Sequence, residues 1–207
     1  MTDPVAAWLP AANAALRSGG WNGVEAAVVV DGAAQRLYLL PACFAPPPAG
    51  EPVAQTWNWP ISTAAAGFGN RQDSGQTPVG LHRIAACIGE GAPCGMIFKS
   101  RVATGEVVAD DPQQAGDFIT TRILWLDGLE EGVNRGEGCD SRARYIYIHG
   151  TPHASRLGQP ASAGCIRMDN RHILELFAQV QTGTLVWIRP DPSLPLQGAA
   201  LLESAGG

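Results

Sequence analysis

Residues 145–170 read YIYIHGTPHASRLGQPASAGCIRMDN, and this stretch decides both the fold class and the chemistry. It opens on aromatic and β-branched residues, which predicts a strand. In an extended chain, Tyr145, Tyr147 and His149 share one face, while Ile146 and Ile148 point to the other. The isoleucines then belong to a core, and His149 closes the strand on the polar side. The segment CIRM, if extended, likewise puts Cys165 and Arg167 on one face, roughly 6.5 Å apart, with Ile166 and Met168 behind. Asp169 is a good helix N-cap, and Ile173, Leu174, Leu176, Phe177 and Val180 follow at helical spacing towards a stop at Gly183.

Working outward, most of the remaining chain predicts strands. VEAAVVVDGAAQRLYLL (24–40) reads as two strands around a turn at Asp31-Gly32. TWNWPIST (56–63) is extended, and LHRIAACIG (81–89), GMIFKSRVA (95–103), FITTRILWLDG (118–128) and TLVWIRP (184–190) each predict one strand. PACFAPPPAGEP (41–52) must be a loop, because its prolines cannot donate to a ladder. GFGNRQDSGQTPVG (67–80) is a long Gly-rich loop. A short helix is expected over residues 5–17, broken or started at Pro10. The sum is a mainly β domain, a sandwich or barrel-like sheet with one or two helices. Its expected boundaries are an N-terminal helical extension (1–23), the main domain (24–190) and a small, Pro-rich tail (191–207).

Composition narrows the function. The 207 residues are 45% hydrophobic and 16% charged, with a net charge of −5. No run of Lys or Arg occurs, which disfavours a nucleic-acid partner. No apolar run near the N-terminus is long enough for a secretory leader or a membrane span, so no membrane partner is expected. A chain that starts at Met1 therefore reads as cytoplasmic, and a trimmed chain as periplasmic. Five cysteines are an odd number, so at least one lacks an intramolecular partner. Cys87 and Cys94 read best as small residues flanking a turn.

A histidine and a cysteine facing one cleft suit acyl transfer. An imidazole can take the proton of a thiol whose free pKa is roughly 8.5, and the thioester divides amide cleavage into two easier steps. Gly164 leaves room beside the sulfur, backbone N–H groups near Cys165 can meet an oxyanion, and Arg167 offers a fork for a carboxylate. On spacing alone, a buried and inert Cys165 is an equal alternative. A zinc site from His149, His153 and Cys165 fits poorly, because Gly150 and Pro152 oppose the helix that such histidine spacing needs. No metal and no cofactor are expected. His153 reads as an exposed loop residue, and His82 and His172 as structural.

IHGTPHASRLGQPASAGCIRM (148–168) closely resembles the signature of the YkuD-type L,D-transpeptidase catalytic domain, HG[T/S] followed after a loop by S-x-G-C-[I/V]-R. The matching residues are His149, Gly150, Thr151, Ser162, Gly164, Cys165, Ile166 and Arg167. SGQTPVGLHRI (74–84) resembles the family's TPxGxF-x-I segment at Thr77, Pro78 and Gly80. The resemblance spans residues 24–190 and implies a YkuD-like, mostly β catalytic fold. It makes Cys165 the nucleophile, His149 the general base and Gly150 the residue whose carbonyl orients the imidazole. Arg167, Ser162 and Gly164, with Tyr147 and Thr151, would shape the site and bind peptide. The implied partner is a peptidoglycan tetrapeptide stem, as free peptide or muropeptide, cleaved before its terminal D-Ala. Many members carry a histidine two residues before the cysteine, where this chain has Ala163. A cytoplasmic member implies an L,D-carboxypeptidase of wall recycling. The alternatives are an L,D-transpeptidase that cross-links stems or exchanges D-amino acids, and a non-catalytic module that binds wall peptides or metal.

Overall fold

The computed structural model describes residues 4–45, 56–109 and 116–190. The elements are α1 (Pro4–Ser18), β1 (Ala27–Asp31), β2 (Arg36–Leu40), β3 (Trp57–Ser62), β4 (Gly80–Ile88), β5 (Met96–Lys99), β6 (Val102–Val107), β7 (Ile119–Gly128), β8 (Tyr147–Thr151), β9 (Ile166–Asp169), α2 (Asn170–Phe177) and β10 (Leu185–Arg189). The tail 191–207 and most of the proline-rich loop lie outside the described residues.

The strands run β4-β10-β1-β2-β3-β9-β8-β7, and β4 pairs back onto β7 to close the ring. The fold is thus a barrel-like β sheet. The long strand β7 divides one of its edges. Residues 123–128 pair with β4, while Ile119 and Thr120 pair with β5 of the β5–β6 hairpin, which extends beyond the ring. Closure leaves few free edges, and it brings β8 and β9 side by side although a long loop separates them.

The core follows the alternation of the strands. Val28 and Val30, Leu37 and Leu39, Ile146 and Ile148, and Ile166 and Met168 all join one buried cluster, into which α2 inserts Ile173 and Leu176. The opposite residues of β1 and β2 are apolar too, so they need a second cover. Helix α1 supplies it: Val5, Trp8, Leu9, Ala12 and Leu16 fall on one helical face and bury Ala27, Val29, Tyr38 and Leu40. At roughly 25 cal/mol per Å² of apolar area, such a face outweighs the weak intrinsic stability of a four-turn helix.

Three local expectations change. Helix α1 runs through Pro10, which sits on its exposed face, where water can serve the carbonyl that proline leaves without a donor. The segment 95–103 is two strands, because Ser100 and Arg101 adopt φ of 49° and 70° and turn the chain back on itself. Helix α2 stops at Phe177, short of Gly183. By Gly183 and Thr184 the backbone is exchanging hydrogen bonds with Ile84 at 2.8 and 2.9 Å, which starts the β10 pairing. The Asp169 N-cap is as expected, its carboxylate accepting from the N–H groups of Arg171 and His172.

Candidate active site

Strands β8 and β9 are parallel neighbours, with Ile148 opposite Ile166 and His149 opposite Arg167. With both isoleucines in the core, His149 and Arg167 turn to the outer face, and Cys165 sits at the start of β9. A cavity of about 140 Å³ opens there, lined by His149, Cys165, Arg167, Ser162, Ala163, Asp117 and Ile119. The sequence thus brings the histidine and the cysteine to one cavity through strand pairing.

The turn that carries Cys165 is tied from two sides. The Ser162 hydroxyl accepts from Gly164 N–H at 3.2 Å and donates to the Cys165 carbonyl at 2.5 Å. Thr77 accepts from Ala64 N–H and donates to the Gly164 carbonyl, both at 2.9 Å. The TPxG segment therefore holds the cysteine turn from behind. Gly164 has φ of +139°, while a Cβ there would meet its neighbours only at ordinary contact distance, 3.7 Å or more. Backbone conformation, and not room for a ligand, is what asks for glycine. Gly150 differs: a Cβ would come within 2.5 Å of Asn170 Oδ1 and 2.7 Å of the Thr120 carbonyl, so helix and strand could not approach this closely.

The electrostatics of the pair are unusual for a thiol and its base. His149 Nδ1 lies 2.8 Å from the Gly150 carbonyl. A carbonyl can only accept, so Nδ1 carries the proton and Nε2 keeps its lone pair. Burial lowers the imidazole pKa to about 4, partly opposed by the Gly150 bond and by Asp117. Burial pushes the Cys165 thiol up to about 11, against a backbone hydrogen bond from Tyr147 and the positive charges of Arg167 and Arg144. For each group burial therefore favours the neutral form, thiol for Cys165 and imidazole for His149. The thiol donates to the Tyr145 carbonyl at 3.5 Å, and Tyr145 reaches this position with φ of +57°. Alkylation of Cys165 by iodoacetamide is accordingly expected to be slow at pH 7 and to climb towards pH 11. A rate plateau between pH 5 and 8 would instead reveal a preformed thiolate–imidazolium pair.

The other predicted site residues are placed as follows. Arg167 is buried, with one guanidinium nitrogen ion-paired to Asp117 and another donating to the Ala161 carbonyl at 3.1 Å. Tyr147 is buried beside Cys165, its hydroxyl accepting from Arg101 at 2.9 Å. Thr151 is buried and its hydroxyl accepts from His153 N–H at 3.3 Å. His153 is not the exposed loop residue expected: it is buried, with Nε2 at 2.7 Å from the Gly116 carbonyl. The packing of the loop after β8 draws it in. Among the described residues, no group of three or more His, Cys, Asp or Glu could hold a metal ion.

Sequence reasoning missed Asp117, Arg144 and the Thr77 hydroxyl. Asp117 lies 50 residues from Arg167, with no motif joining them. Arg144 reaches the Gly69 and Gln76 carbonyls at 3.2 and 2.6 Å and charges the neighbourhood of the sulfur from behind.

A profile described as the L,D-transpeptidase catalytic domain (YkuD) matches residues 25–188. The chain belongs to this family. The curated YkuD protein of Bacillus licheniformis is 54% identical over 89 residues, which cover 43% of this chain and 51% of that one. Among solved structures, L,D-transpeptidase 3 of Mycobacterium tuberculosis aligns with a TM-score of 0.47 at 18% identity, over 79% of this chain and 60% of that one. An L,D-transpeptidase of Xylanimonas cellulosilytica aligns at 0.41 and 18%, over 87% and 70%. The chain thus spans about half the length of the curated relative it matches.

Proposed function

We propose that this YkuD-family chain is a cysteine L,D-carboxypeptidase that removes the terminal D-Ala from peptidoglycan tetrapeptide stems. The observation that carries the reading is one cavity holding the Cys165 thiol and a His149 whose tautomer leaves Nε2 free. When substrate displaces water, Nε2 takes the thiol proton as sulfur attacks the carbonyl at the L-centre of the diamino acid. The imidazolium then gives that proton to the departing D-Ala nitrogen, the C–N bond breaks and a thioester remains. Water enters, loses a proton to Nε2, attacks the thioester and releases the tripeptide, and the sulfur regains a proton.

The cavity of about 140 Å³ beside the sulfur has room for a residue the size of D-Ala and then for the water that replaces it. Five free thiols, two of them exposed, suit a reducing compartment, and we place the enzyme in the cytoplasm on that ground. Arg167, Ser162 and Gly164 are read as residues that hold the site in shape, since their polar groups are taken by internal partners.

The test is mass spectrometry of L-Ala-γ-D-Glu-meso-diaminopimelate-D-Ala with the protein, alone and with excess D-Met, beside Cys165→Ala. Tripeptide as the main product in both conditions, and none from Cys165→Ala, is the expected result. Predominant exchange of D-Ala for D-Met would make the enzyme a transpeptidase. Binding without turnover would leave a peptide-binding module, and full activity of Cys165→Ala would remove the cysteine mechanism.

A further inference from the structure

Of the arginines near the cysteine, two are already engaged. Arg167 is held by Asp117 and the Ala161 carbonyl, and Arg144 by the carbonyls of Gly69 and Gln76. Arg101 is different. Its Nη1 donates to the Tyr147 hydroxyl at 2.9 Å, and its guanidinium carbon lies 4.6 Å from the Trp125 ring centre and 5.0 Å from that of Tyr145. The rings of Trp125 and Tyr145 are themselves stacked. Among the described residues no carboxylate pairs with Arg101. Tyr147 belongs to the buried cluster against which Cys165 packs, so the guanidinium is tied to the wall of the nucleophile's surroundings.

The backbone beneath it is held in a costly shape. Lys99 pairs with Val102, leaving Ser100 and Arg101 as the two central residues of the β5–β6 turn, with φ of 49° and 70°. Such a turn favours Asn-Gly, because residues with a Cβ resist the left-handed region. In this shape the backbone lets the Arg101 side chain lie over Trp125 and Tyr145.

We propose that Arg101 binds a carboxylate of the peptide substrate through its Nε–Nη2 edge, with Trp125 and Tyr145 fixing the guanidinium plane. The inference rests on the peptidase reading above. A planar cation clamped by two rings and one hydrogen bond has little freedom left to lose, and its remaining edge matches two carboxylate oxygens. The stem tetrapeptide carries three such groups, on D-Glu, on diaminopimelate and on the terminal D-Ala.

The experiment compares kcat and KM of wild type, Arg101→Gln and Arg101→Lys on the tetrapeptide and on its three singly amidated forms. Arg101→Gln is expected to raise KM for the parent peptide roughly 10- to 100-fold, the loss of a charge-assisted pair, with a smaller change in kcat. Arg101→Lys recovers only part, since an ammonium cannot present the fork. One amidated peptide, already weak with wild type, loses nothing further with Arg101→Gln, and this identifies the carboxylate. An unchanged rate of Cys165 alkylation in both variants shows that the site remains assembled. Equal losses on all four peptides, or none, would overturn the inference while leaving the peptidase reading in place. No turnover of any peptide by wild type would overturn both.

Discussion

His149→Gln is expected to lower kcat on the tetrapeptide by a factor of about 100 to 10,000, the usual worth of a positioned general base. Glutamine fills most of the space of the imidazole, whose Nδ1 now serves the Gly150 carbonyl at 2.8 Å, but it cannot take a proton from sulfur. The alanine variant would confound this by also opening a void at a buried position. Because burial favours the neutral thiol and the neutral imidazole, the histidine is expected to add little resting thiolate. On the proposed mechanism its contribution comes while the substrate carbonyl is under attack. The same variant should therefore alkylate with iodoacetamide at pH 7 within a few-fold of the wild-type rate. A kcat within tenfold of wild type would show that another group takes the proton. A large fall in alkylation would show that the resting pair is ionic.

Much of this site was legible in the sequence, for a short-range reason. The alternation in YIYIHG and CIRM has a period of two, so it fixes which side chains share a face before any partner strand is known. The core places of Ile146, Ile148, Ile166 and Met168 follow from it, as does the outward turn of His149 and Arg167. The Asp169 cap was legible on the same scale. What escaped depends on distant pairing or on backbone shape. Nothing near Leu185 signals that β10 lies between β1 and β4, and nothing near Asp117 signals its partner Arg167. The β5–β6 turn was hidden because Ser100-Arg101 carries neither the glycine nor the asparagine that marks a turn with two left-handed residues. Residue type and face alone make Arg167 a free fork, whereas Asp117 and the Ala161 carbonyl occupy it.

Acidification from pH 6.5 to pH 4 is expected to destabilise the protein strongly, through two buried histidines. His82 donates through Nδ1 to the Gly80 carbonyl at 3.0 Å and accepts at Nε2 from the Ser141 hydroxyl at 2.9 Å, a neutral ring with both nitrogens satisfied. Burial, with help from Arg144 and against the Gly80 bond and Asp127, lowers its pKa to about 4, the same value as His149. Both groups titrate near 6.5 in the unfolded chain. Below that pH the unfolded state binds two protons that the folded state refuses. Stability is therefore whole above about pH 6.5 and falls continuously until the folded rings protonate near pH 4. Each histidine accounts for about 3 kcal/mol of the loss, and the two together are comparable with the whole stability of many domains. In thermal melts this corresponds to a fall in Tm of roughly 12–24 °C from pH 7 to pH 4. His82→Gln and His149→Gln should each flatten the slope by about half, whatever they do to stability at pH 7. A Tm that stays level between pH 6.5 and 4, or a slope unchanged in both variants, would mean that these rings accept protons in the folded state, and the neutral imidazole assigned to the resting active site would fall with it.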